Sequence, residues 1–126
     1  MRCLPLLLGL LVLGALPAQG SDVPLEGVRL EAFLKSGGLT ELGRNVRFIM
    51  PARVLALPHT QRRGGAEYLW KRVHLVVRGD DPGLLEVQRR SRQVRVRGRV
   101  VRTTALEQAR GAPPVLLLVQ GFAHLR

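Results

Sequence analysis

Cysteine occurs once in the 126 residues, at Cys3, which excludes an internal disulfide and any cysteine-based metal site. Aromatic residues are few, with one Trp, one Tyr and three Phe, so a core of this size has to be built mainly from aliphatic side chains. Acidic residues number nine against 20 basic ones, and only Lys35 and Lys71 among the basic residues are lysine. After residue 20 no apolar run approaches the roughly 20 residues that span a bilayer. No His-x-x-x-His, glycine-rich phosphate loop or nucleophile elbow occurs, and the acids Glu26, Glu31, Glu41, Glu67, Glu86 and Glu107 share no motif. His59, His74 and His124 are far apart in the chain. These absences point to a non-enzymatic chain with no metal site and no cofactor.

The first twenty residues read as an export leader. Arg2 supplies a positive start, Leu4 to Leu16 is leucine-rich, and Ala18-Gln19-Gly20 places small residues where a signal peptidase cuts, so cleavage is expected before Ser21. A retained anchor is the rival, but the apolar run is short for a span. With no cysteine after that run, lipid attachment is excluded. The expected mature chain, 21–126, is long enough for one domain and has no linker or repeat to divide it. Losing Arg2 leaves 19 basic residues against nine acidic, a formal charge near +10 that favours anionic partners. A periplasmic or secreted location follows from the leader.

Period-two alternation dominates what remains and predicts a mainly β chain. Val28, Leu30, Ala32 and Leu34 alternate with Arg29, Glu31 and Lys35 in a first predicted strand, which Ser36-Gly37-Gly38 ends. Val46 to Leu57 reads as one long strand, bent or bulged at Pro51, which has no N–H for a ladder. A polar loop, His59 to Gly65, leads to a third strand over Ala66 to Arg78. On that strand Leu69, Val73, Leu75 and Val77 face the core and Tyr68, Trp70, Arg72 and His74 the other side. The turn Gly79 to Gly83 precedes a predicted short helix over Leu84 to Arg90, started by Asp81-Pro82. Gln93 to Thr104 is the fourth strand, and Val115 to Val119 an apolar closing one, with Gln120 to Arg126 extending it or fraying.

The fourth strand lies in RRSRQVRVRGRVVR, residues 89–102. Val94, Val96, Gly98 and Val100 take one side of it and Arg95, Arg97 and Arg99 the other. At Val101 and Arg102 the phase reverses, by a bulge or by leaving the core, and Gly98 marks a bend or a close backbone approach. The arginines are either the wet face of a half-buried strand or a charged surface for a polyanion. Tyr68, Trp70, Arg72 and His74 weigh toward the second, since rings stack on aromatics while guanidiniums meet phosphate or sulfate. Against it, a lone tryptophan also caps a core, and the Arg62-Arg63 loop is also explained by solvation.

A long bent strand, a basic loop, a strand with aromatic and basic residues, a short helix, the Val94 to Val101 strand and an apolar closing strand together resemble a small OB-fold, notably the exported bacterial versions. The resemblance covers about residues 44–120, and its implied fold is an OB-like five-stranded barrel. It implies binding of single-stranded nucleic acid or an anionic envelope glycan across the sheet, with loops His59 to Gly65 and Thr104 to Pro114 beside it. The implied binding residues are Tyr68, Trp70, Arg72, His74, Arg95, Arg97, Arg99, Arg62, Arg63 and Arg110. The Val28 to Leu34 segment has no place in that pattern. An alternative role is an accessory or scaffold protein that joins an envelope complex by protein contacts.

Overall fold

A computed structural model describes residues 22–81, 83–84 and 92–125. The expected leader, and the predicted helix beyond Leu84, lie outside the described residues. Seven strands form one mixed sheet: β1 (Val23–Pro24), β2 (Asn45–Pro51), β3 (Thr60–Arg62), β4 (Gly65–Trp70), β5 (Val73–Arg78), β6 (Gln93–Arg102) and β7 (Val115–His124). Their hydrogen-bonded order is β1-β2-β6-β7-β5-β4-β3, with β1·β2 and β5·β7 parallel and the other neighbours antiparallel. Helices α1 (Gly27–Lys35) and α2 (Ala105–Ala109) are complete among the described residues.

The five-stranded OB-like barrel is therefore corrected to a seven-stranded mixed α/β sheet that does not close. The segment from Pro51 through the 3-10 turn Ala52–Ala56 to Thr60 carries the chain from β2, second from one end of the sheet, to β3 at the other end. The sheet curls enough for Phe48 of β2 to stack on Trp70 of β4, with ring centroids 5.7 Å apart. The expected long strand from Val46 to Leu57 ends at Pro51, where the missing N–H stops the ladder and the chain turns.

The largest departure is the first predicted strand, which is helix α1. Leu30, Phe33 and Leu34 stand three and four residues apart, and that spacing puts all three on one face against the sheet. Phe33 is fully buried and meets Phe48 at 5.5 Å, whereas Val28, read as core from the alternation, is 83% exposed. Burying such side chains stabilises the fold by roughly 1.5–3 kcal/mol each. The Ser36-Gly37-Gly38 stop ends this helix. Gly38 N–H donates to the Phe33 carbonyl at 2.9 Å and Gly37 N–H to that of Leu34 at 3.4 Å, a Schellman closure with Gly37 at φ 67°. Beyond it, Arg29 grips the buried Glu41 carboxylate with Nε at 2.8 Å and Nη2 at 2.9 Å. Those hydrogen bonds hold Glu41 below the usual carboxylate range, against the opposing effect of its burial.

The ten-residue strands β6 and β7 occupy the middle of the sheet. Val94, Val96 and Val100 are buried and Arg95, Arg97 and Arg99 exposed, in the predicted alternation. The register shift falls at Arg97/Gly98, where β7 passes over Gln120 and Gly98 pairs with Val119. A Cβ on Gly98 would lie 2.6 Å from the Leu118 carbonyl oxygen, so the close backbone approach is real. The closing strand continues through Gln120 to His124.

Candidate metal centre

The third predicted strand is two strands. Trp70 pairs with Val73 across a tight turn at Lys71 and Arg72, with Lys71 at φ 57°. That reversal shifts the phase, so that Tyr68 and Trp70 share the core face with Val73, Leu75 and Val77. Tyr68 is 3% exposed, and burial pushes its hydroxyl pKa up. Trp70 is engaged with Phe48. His74 falls on the opposite face with Glu67, and Arg72 stands exposed in the turn.

The predicted aromatic-and-basic ladder thus does not form. Arg95, Arg97 and Arg99 do share an exposed face, but their partners across the ladders are Ile49, Arg47 and Asn45 on β2 and Ala123, Gly121 and Leu118 on β7. None of these offers a ring to stack on, and the binding face expected for a single-stranded nucleic acid or envelope glycan is corrected accordingly. Arg63 is exposed at the tip of the β3–β4 hairpin, beside Gly64.

What the hairpins bring together is a different set. Strand β4 lies between β3 and β5, and it presents Glu67 on the face shared by Arg62 of β3 and His74 of β5. His59 enters from the residue before β3, where its backbone N–H donates to the Glu67 carbonyl at 2.8 Å. Glu67 is 4% exposed, and both its oxygens are engaged. Arg62 donates to Oε1 through Nε at 3.0 Å and Nη2 at 2.7 Å, and His74 Nδ1 lies 2.6 Å from Oε2. The His59 and His74 rings meet edge to face at 5.7 Å.

Burial works to raise the Glu67 pKa, but the hydrogen bonds from Arg62 and His74, with their charges, outweigh it and hold the group below the ordinary carboxylate range. A charged carboxylate beside two imidazoles is a metal-ligand set: His59, Glu67 and His74 each offer one ligand atom, all within 4.8 Å of one another. The cluster borders a cavity of about 330 Å³, whose far wall carries Glu107 and Arg110 of the α2 region. Thr104 starts α2 with a reciprocal capping box to Glu107.

Of the residues read as binding from the sequence, Arg62, His74 and Arg110 meet at this cavity, and Tyr68, Trp70, Arg63, Arg95, Arg97 and Arg99 do not line it. His59 and Glu67 were missed as partners, because seven or eight residues separate Glu67 from each histidine. The available signal was the hairpin itself, since pairing Leu69 with His74 sets His74 diagonally across from Glu67. Among the described residues no helix is long and apolar enough to cross a membrane. Comparison with protein-family models, curated proteins and solved structures finds no match for this chain.

Proposed function

We propose that this chain is a metal-binding module that takes one divalent transition-metal ion, of the zinc type, through His59, Glu67 and His74. The observation that carries the reading is the approach of three such ligand atoms to within 4.8 Å on one hairpin face. Two imidazoles and one carboxylate suit zinc and its neighbours, whereas calcium and magnesium favour all-oxygen sets. Arg62 holds Oε1 of Glu67 through two hydrogen bonds, so an ion would take Oε2 in place of its present contact with His74 Nδ1. When bound, the ion supplies a positive centre with positions open to solvent or a small ligand. The leader-like residues 1–20 support a location outside the cytoplasm, checked by finding a mature chain that begins at Ser21 in an extracytoplasmic fraction.

The test is titration of the chain with Co²⁺ and Zn²⁺ alone, following visible cobalt absorption and heat. One ion per chain is expected, with His59→Ala and His74→Ala each weakening binding by about a hundredfold or more, and with weaker binding in acid, where protons compete for the ligand atoms. Absence of binding by the folded chain, or binding by both variants as tight as the parent's, would overturn the reading.

A further inference from the structure

His74 also lines a second cavity, which shares Pro113 with the first. This one, about 330 Å³ in volume, lies between the end of α1, the β4–β5 turn and the start of β7. Its charged lining is Lys35, Arg72 and Arg102, and no acidic side chain borders it. Among the described residues none of these three cations makes an ion pair within 4 Å. Glu31 borders a neighbouring cavity, with Lys35 and Arg72 in the wall between. The three cations come from distant parts of the chain, and backbone packing brings them together. Gly37 leaves so little room that a Cβ there would sit 3.0 Å from the Arg72 carbonyl oxygen.

Three uncompensated cations around one concavity repel one another, and an anion placed among them relieves that repulsion while accepting several charge-assisted hydrogen bonds. The two guanidiniums present planar forks suited to tetrahedral oxyanions, and Lys35 adds a point charge. The volume is at the low end of the roughly 300–1,000 Å³ of small-ligand sites, which sets the scale of the guest. We infer that Lys35, Arg72 and Arg102 form a binding site for a tetrahedral oxyanion, phosphate or sulfate, free or as the head of a small molecule. The inference does not rest on the metal reading, although the two sites share His74 as a wall.

The experiment titrates the chain, in a chelator and without metal, with inorganic phosphate and with sulfate, following amide shifts by NMR. Saturable one-to-one binding is expected, with shifts gathered at Lys35 to Gly37, Arg72 and Arg102. Arg72→Gln and Arg102→Gln should each weaken it about fivefold, in keeping with partly solvated charge pairs. Arg95→Gln, which does not line this cavity, removes the same charge and should leave the affinity unchanged. All three side chains are exposed, so the variants are expected to keep the fold, which the same spectra report. Equal weakening by Arg95→Gln would reduce the effect to overall charge and overturn the site. So would an absence of saturation, or binding of single-stranded DNA with none of phosphate or sulfate. Metal binding measured separately distinguishes failure here from failure of the metal reading.

Discussion

Replacing Glu67 by Gln keeps the shape of the side chain and removes its charge, which isolates what the carboxylate contributes. The buried oxygens accept two hydrogen bonds from Arg62 and meet His74 at 2.6 Å. Breaking a fully buried ion pair costs about 3–5 kcal/mol, and an exposed pair contributes about 0–1 kcal/mol. Here the acid is buried while the side chains of Arg62 and His74 are 30% and 21% exposed, so the cations recover part of their hydration when the partner is lost. A loss of about 2 kcal/mol follows. In urea, with a chelator at pH 7 and a slope of about 1.5 kcal/mol per molar, the unfolding midpoint should fall by about 1.3 M.

The pH dependence gives the same network a second test. Because the folded Glu67 pKa is lowered, its stabilisation is present above the unfolded value, about 4.3, and is lost as pH falls through the folded one. The parent should therefore lose stability over that acid range more steeply than Glu67→Gln. A midpoint within about 0.3 M of the parent, with the same acid slope, would refute the network as a source of stability.

Four further substitutions probe the fold. Phe33→Ala should cost about 3–5 kcal/mol in chemical unfolding, whereas Val28→Lys should stay within about 0.5 kcal/mol; the reverse order would restore a strand over Val28 to Leu34. Gly98→Val should cost about 2–3 kcal/mol in a thermal melt, because its side chain collides with the Leu118 carbonyl. Thr104→Ala removes the cap on α2 and should cost about 1 kcal/mol, with faster amide exchange over Ala105 to Ala109.

How much of this was legible in the sequence depended on whether a residue's role was local. The alternation from Val94 to Val100 is imposed by the pleat of β6, and both its buried and its wet faces could be read directly. Pro51 was legible as an irregularity, but it reads as a bend within a strand running to Leu57, whereas β2 ends there. Residues Val28 to Leu34 satisfied two periods at once. The strand reading used every second residue, while Leu30, Phe33 and Leu34 carried the helical one, and Phe33 as the exception to alternation was the clue. The Lys71-Arg72 turn was hidden because neither residue is a usual turn former, and Lys71 takes a positive φ without glycine. Missing that turn inverted the faces of Tyr68, Trp70 and His74 and made an apparent ladder out of residues on opposite sides. The Glu67 site was illegible for a related reason, since a meander of three strands has to be in register before its two histidines come near.

The ends of the sheet carry a consequence for solubility. An edge strand offers a row of unsatisfied peptide groups on which another chain can grow, and its length sets how much of a template it makes. Here the terminal strands β1 and β3 pair through only two and three residues, while the long valine- and leucine-rich strands β6 and β7 each have neighbours on both sides. The segments best suited to cross-β stacking thereby lie inside the sheet, and the two strands at its ends are short templates for strand addition.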